Sequence, residues 1–346
     1  MPDDLNTELR RLGERTDGWI RDAMAQHLSP TAARLRAMLE YHFGWRDEQL
    51  NPLRVPAAAG KKLRPGLVLL VCQAVRGEVT AAARNAAAAV ELIHNFSLIH
   101  DDIQDRSLLR RHRRTVWSLW GVPQAINAGD ALFSLAQVVM LQGASPLAAQ
   151  MAAELNATAL LLAEGQFLDI DLQAGELPAS LETYETMIAR KTGVLFACAC
   201  RLGAMAGGAS EAAREAYAAY GLALGLAFQE QDDLLGVWGS AAVTGKPEAA
   251  DVVERKRGLP AAMALALADA PEWLRLAYDE GGGTMPPDTI ARVIAHFDQL
   301  DLRTAIEARV ERRYGSALDR LAAAGAREPA LGYLAAICDA LVSRRA

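Results

Sequence analysis

The sequence predicts an all-α protein, on three observations. Ala, Leu, Glu and Arg recur throughout while β-branched residues are sparse. Apolar positions repeat at three and four rather than two, as in Leu67, Leu70, Val71, Ala74 and Val75, and no alternating run marks a strand. Turn-forming residues fall between the periodic stretches, at 51–60, 77–80, 121–123, 143–146, 174–180, 207–210, 238–247 and 281–287. About ten or more helices follow from those breaks. The stretch 81–100 is apolar on most faces and belongs at the centre. No long polar linker and no internal repeat divides the chain, so a single domain over 1–346 is expected.

Composition excludes several classes. Apolar residues make up 51% and charged residues 23%, which is ordinary globular usage and not that of a disordered chain. The net charge of −6 has the wrong sign for a protein that binds DNA over its whole surface. Cys72, Cys198, Cys200 and Cys338 are too scattered for a disulfide framework or a zinc site and read as reduced core thiols. The opening MPDDLNTELRRLGERTDGW has no apolar export region, and the longest apolar run, Thr192 to Ser210, is broken by Arg201. A cytoplasmic protein without a membrane segment is expected.

The segment from Glu91 to Asp105 carries the first chemistry. Asp101 and Asp105 share a helix face, with His94 two turns earlier on the same side. Such a pair is usually a solvated surface. Here the acids end an apolar helix, where like charges repel and a cation is the natural compensation. Hard oxygen ligands suit Mg²⁺, which completes its shell with water and substrate phosphate. The run Arg110-Arg111-His112-Arg113-Arg114 follows, with planar guanidinium forks suited to phosphate oxygens. Gly60-Lys61-Lys62-Leu63-Arg64-Pro65 adds a further basic element at a helix start. Acids and bases around one site point to a diphosphate substrate.

The theme repeats at Phe228-Gln-Glu-Gln-Asp-Asp-Leu-Leu-Gly236, an apolar helix ending in paired acids, with Gln229, Asp232 and Asp233 spaced for one face. Lys191-Thr192 precedes it, after a stretch carrying Gln166 and Asp169, and Lys246 and Lys256 follow.

With these pieces in place, the chain resembles the trans-isoprenyl diphosphate synthases of the short-chain, geranylgeranyl or farnesyl diphosphate type. GKKLRP, HNFSLIHDDIQD, the arginine pair, EGQFLD, KTG, FQEQDD, and GK with a later lysine and LP stand in family order from residue 60 to residue 260. The resemblance implies a homodimer of isoprenoid-synthase-type helical bundles, each around a central cavity. It implies that Asp101 and Asp105 bind Mg²⁺ on one side of an allylic diphosphate and Asp232 binds it on the other. Arg110, Lys191, Thr192, Gln229, Lys246 and Lys256 would contact the allylic diphosphate, while Lys61, Arg64, His94 and Arg111 would hold isopentenyl diphosphate. The implied reaction is ionisation, condensation and elimination, with the proton passing to released pyrophosphate because the sequence offers no dedicated base.

Phe96 lies five residues before Asp101, roughly 7.5 Å along the helix, where a growing tail would meet its ring. With small Ser97 beside it, the resemblance implies a C20 product, with C15 as the alternative. Several positions depart from the family pattern: Gly236 and Ser240 stand where acids are common, His112 and Arg114 replace a Gly and a Pro, and Gly258 replaces a hydroxyl residue. An aspartate at Gly236 is expected to leave activity similar or to strengthen Mg²⁺ binding. A terpene cyclase would not need the Lys61, Arg64, His94 and Arg111 set, and a non-catalytic partner subunit would be expected to lack the first acidic motif.

Overall fold

The computed structural model describes residues 3–57, 60–142, 145–240, 248–279, 284–325 and 327–342. Its helices in order are α1 (Asp3–His27), α2 (Ala33–His42), α3 (Leu63–Arg76), α4 (Ala81–Gln104), α5 (Val116–Trp120), α6 (Val122–Leu141), α7 (Ala148–Ala174), α8 (Leu181–Ile188), α9 (Val194–Gly207) and α10 (Glu211–Trp238). The short helices Ala250–Val253, Leu259–Leu265 and Glu272–Asp279 and the longer Pro287–Gln299, Leu302–Ala323 and Ala330–Val342 complete the chain. The all-α expectation holds, and the helix boundaries fall at the predicted breaks. Thr80, Ser180 and Ser210 each cap a helix start, their hydroxyls accepting from the backbone N–H of Ala83, Thr183 and Ala213. Such a cap contributes about 1 kcal/mol and fixes where the helix begins.

One cluster of buried apolar residues runs from Leu5 to Leu341. As predicted, α4 lies at its centre: Ala86, Ala87, Ala88, Ala89 and Val90 are successive and all buried. A helix buried on every side must be apolar on every side, and alanines let its neighbours approach. Helices α3, α6 and α9 pack on it, and α10 packs between α9 and Leu302–Ala323. All four cysteines are free and buried. Among the described residues no helix is long and apolar enough to cross a membrane.

Two local features differ from the sequence reading. Leu109–Arg110 and Arg113–Arg114 form a small antiparallel hairpin where no strand was expected. Arg111 and His112 turn it with φ of 52° and 61°, the left-handed pair that a two-residue hairpin loop requires. Strands this short leave no alternation to read. Helix α10 also does not end at its acids but continues to Trp238, so Asp232 and Asp233 sit within it.

Candidate active site

The arginine hairpin folds back over the end of α4. Asp102, buried, accepts from Arg110 Nε at 2.9 Å and lies 2.8 Å from its Nη2, so the middle acid of the first cluster anchors the first arginine. Arg113 is structural, donating to the carbonyls of Tyr41 and Arg46 with its guanidinium 4.1 Å from the Tyr41 ring centroid.

Arg111 is directed to a different group. A Cβ on Gly60 would lie 2.7 Å from Arg111 Nη2, so the loop before α3 lies directly against this guanidinium. Nearby, an Arg64 Nη1 stands 3.3 Å from His94 Nε2. Burial pulls the Arg64 guanidinium down to about 10, with Arg111 adding to the fall and Glu91 and Asp232 opposing it; it stays charged at neutral pH. Burial, together with Arg64, Arg111, Arg110 and His42, holds His94 well below the usual imidazole range and therefore neutral. The lysine pair divides. Lys62 is buried, bonded to Asp17 and 3.7 Å from Glu91, and ties α1 to α4. Lys61 is exposed. Arg64, His94 and Arg111 thus converge, with Lys61 beside them in the chain.

At the end of α4 the acids meet α7 and the segment before α9. Ala189–Gly193 is a π-helical turn, a wide turn common at functional sites. A Cβ on Gly165 of α7 would lie 2.2 Å from the Lys191 backbone N, so only glycine permits this approach. It brings Asp169, one turn on, into a hydrogen bond with the Lys191 ammonium. Burial works to lower Lys191, but Asp169, Asp101 and Asp105 outweigh it and hold the ammonium above its ordinary value. Asp101 is pushed up to about 6 by burial and by Asp105 and Asp102, against the pull of Lys191 and Arg110. Asp105 is also raised, by burial and by Asp169, while Lys191, Lys256 and Arg110 oppose.

The second acidic pair splits by face. Asp233 accepts from Gln229 Nε2 at 2.8 Å, Tyr184 Oη at 2.7 Å and the Leu259 N–H at 2.8 Å. Thr192 Oγ1 donates to Gln229 Oε1 at 2.8 Å, so Thr192 and Gln229 join one chain that ends on Asp233. Burial and Asp251 raise Asp233 to about 6 despite these donors. Asp232 is half-buried, and its charge reaches Arg64. Lys256 lies 2.9 Å from Glu254 and 3.4 Å from Asp251, and its field reaches Asp105. Lys246 lies outside the described residues. Ser240 is exposed, and Gly258 leaves room for Asp233, whose Oδ2 would be 2.9 Å from a Cβ there.

The expectation for Gly236 needs correction. The position is filled: a Cβ there would stand 1.9 Å from Asp251 Oδ2. No local spacing links the two residues, so the sequence could not show it. Phe96 packs with its ring centroid 5.3 Å from Phe133 of α6 and 4.9 Å from His100, and Ser97 Oγ donates to the His94 carbonyl at 2.9 Å. Nothing in the local sequence marks Phe133 or Asp251. Asp102 alone had a local signal, as the middle acid of Asp101-Asp102-Ile-Gln-Asp105.

The donors fit Mg²⁺. Asp101 and Asp105 concentrate carboxylates whose burial and mutual repulsion a divalent cation would relieve. Among the described residues no three ligating side chains converge to cage a metal unaided. Mg²⁺ typically keeps several waters and takes phosphate oxygens from a substrate.

Comparisons with known proteins identify the family. Residues 50–284 match the Polyprenyl synthetase family. A (2E,6E)-farnesyl diphosphate synthase of Mycobacterium bovis is 37% identical over 327 residues, 93% of this chain and 89% of the relative. The crystal structure of a polyprenyl synthetase from Streptomyces coelicolor A3(2) superposes with a TM-score of 0.87 at 34% identity, covering 98% of this chain and 99% of that one. A geranylgeranyl pyrophosphate synthase from Corynebacterium glutamicum, complexed with isoprenyl diphosphate and magnesium, does so at 0.81 and 26%, covering 99% of each chain. With most of its length matched by the family and by a relative 37% identical, the chain belongs to the polyprenyl synthetase family of trans-prenyltransferases.

Proposed function

We propose that this chain condenses isopentenyl diphosphate with an allylic diphosphate in Mg²⁺-dependent head-to-tail elongation, giving mainly a C20 product. One observation carries the reading. Helix α4 presents two differently built anion sites on one face: His94, with Arg64 and Arg111, and Asp101 with Asp105 and Lys191. The seven-residue step from His94 to Asp101 corresponds to about 10 Å. That separation supports a reading with one diphosphate on guanidinium and imidazole groups and another on acids that recruit a cation. A cyclase has no use for the first group.

Asp101, Asp105 and Asp232 would hold Mg²⁺, which supplies positive charge to the departing diphosphate. Lys191, kept charged by its three acids, adds a fixed cation where that negative charge develops. Arg110, positioned by Asp102, does the same from the hairpin, joined by Thr192, Gln229, Lys246 and Lys256. Lys61, Arg64, His94 and Arg111 orient isopentenyl diphosphate so that its double bond faces the allylic carbon. The aromatic pair Phe96 and Phe133 offers an apolar lining that keeps water from the cation. The proton lost on elimination passes to released pyrophosphate.

A C15 product is the second reading, favoured by the farnesyl synthase relative and by Phe133, which narrows the space at Phe96. The reading also takes the chain as one domain that works as a cytoplasmic homodimer. Four free thiols suit a reducing compartment. Ile126 and Leu141 of α6 and Leu160 and Phe167 of α7 expose apolar surface that a second copy would cover. Sedimentation at the mass of one chain would remove the dimer. The deciding assay incubates protein with Mg²⁺, isopentenyl diphosphate and each allylic primer, then resolves the products by chain length. No elongation with any primer would end the reading, and mainly C15 would select the second.

A further inference from the structure

Away from the site just described, a groove of about 490 Å³ opens between α8, α10 and the helix Leu302–Ala323. Its two walls differ in chemistry. Ala219, Leu222, Ala223 and Leu226 of α10 recur at helical spacing and form an apolar wall. Arg309, Arg312, Arg313 and Arg320 line the opposite wall, along about 16 Å of one helix.

The charges do not cancel. Arg309 bonds Glu185 and donates from Nε to Glu230 at 2.7 Å, and Arg313 stands 3.4 Å from both acids. Glu230 is fully buried beneath them. Two arginines are therefore matched by two acids. Arg312 and Arg320 are exposed and, among the described residues, carry no ion pair or hydrogen bond. Two uncompensated guanidinium forks beside an apolar wall complement a polyanionic head joined to a hydrocarbon tail. The apolar wall also reaches the catalytic region from behind, since a Cβ on Gly193, next to Thr192, would meet Leu222 Cδ1 at 2.8 Å.

We propose that this groove is a second, metal-independent binding site for an amphiphilic diphosphate, with the head on Arg312 and Arg320 and the tail along Leu222 and Leu226. The choice of a prenyl diphosphate as the natural occupant rests on the elongation reading above. The site's existence does not, because its walls share no side chain with the acidic clusters.

The test is calorimetric titration of the full chain with farnesyl diphosphate in EDTA and saturating isopentenyl diphosphate, so that metal-dependent binding is suppressed and the Arg64, His94 and Arg111 group is already occupied. Wild type should retain one binding event per chain. Arg312→Glu/Arg320→Glu should weaken it by at least ~10-fold, the effect of losing a charge-assisted contact. Ala219→Trp, which fills the apolar wall without touching a charge, should weaken it as well. Elongation by all three proteins should stay similar, which also reports folding. Equal affinity in wild type and both variants, or no binding in EDTA, would overturn the proposal. Inorganic pyrophosphate binding as tightly as farnesyl diphosphate would overturn the role of the tail. Retained groove binding in a protein that elongates no primer would sink the elongation reading alone.

Discussion

The carboxylate of Asp251 occupies the space that a side chain at Gly236 would fill, with Oδ2 1.9 Å from the position of a Cβ there. The second acidic motif lacks an acid at 236, yet an acid from a different part of the chain stands against that point of α10. Asp251 also pairs with Lys256 at 3.4 Å and raises its neighbour Asp233. A side chain at 236 would therefore displace a carboxylate that already has partners.

Gly236→Asp is accordingly expected to be damaging. It combines overpacking, which costs about 1–3 kcal/mol, with a second negative charge beside Asp251. The melting temperature should fall, and the Mg²⁺ concentration for half-maximal activity should rise. Gly236→Asp/Asp251→Gly should recover much of both losses, because it exchanges the two groups. A single variant as stable and active as wild type would show that Asp251 moves aside freely.

Much of this architecture is legible in the sequence, and the limits have a physical pattern. Helix periodicity and caps are local, so α4 and its Thr80 cap could be read directly. Asp101, Asp105 and His94 share a face of one helix, and their proximity follows from spacing alone. The division of labour between Lys61 and Lys62 depends on where Asp17 and Glu91 lie, and that is tertiary. The same holds for Phe133 against Phe96 and for Asp251 against Gly236. The hairpin at Arg110 escaped because two-residue strands have no period to detect.

Asp101→Ala and Asp232→Ala should each lower turnover by at least ~10²-fold, as expected when a group stabilising transition-state charge is removed. Both are half-buried and neither belongs to the packed apolar core, so circular dichroism should be unchanged. Turnover within a few-fold of wild type for either variant would exclude metal-assisted ionisation at that position.

The raised Asp101 gives a pH dependence of definite sign. Its folded value is about 6 against an ordinary 3.8. Below the ordinary value the carboxyl is protonated in both folded and unfolded chains. As pH rises from roughly 4 to 6 the unfolded chain loses its proton first, so metal-free stability falls through that window. Asp101→Asn should remove part of this fall, which melting curves in EDTA between pH 4 and 7.5 would read. Mg²⁺ binds the ionised form, so its apparent affinity should drop as pH falls below about 6. Parallel melting profiles for wild type and Asp101→Asn would contradict the assignment.

Gly165 tests whether close helix approach positions Lys191. A methyl group there would lie 2.2 Å from the Lys191 backbone N and 2.6 Å from the Arg190 carbonyl carbon, and backbone cannot rotate away. Gly165→Ala should cost about 1–3 kcal/mol through overpacking and shift the π-helical turn from Asp169. The KM for the allylic diphosphate should then rise more than that for isopentenyl diphosphate, whose proposed residues lie elsewhere. An equal rise in both would point to general loosening of the fold.

On the proposed reading, product length turns on the Phe96 ring. It stands one and a half turns before Asp101 on α4, so a tail anchored at the acids and running along this helix meets it after about 7.5 Å. The ring is braced by Phe133 at 5.3 Å and His100 at 4.9 Å, which fixes it as a wall rather than a mobile flap. Phe96→Ala removes the first obstacle but leaves Phe133, so products should lengthen in part. Phe96→Ala/Phe133→Ala should lengthen them further, because both rings of the barrier are gone. The first condensation should change little in either variant, since the diphosphate groups would sit at the other end. Chain-length analysis at limiting primer and excess isopentenyl diphosphate reads the outcome directly. An unchanged product distribution from folded Phe96→Ala would place the floor of the cavity elsewhere, and lengthening by Phe133→Ala alone would move it to α6.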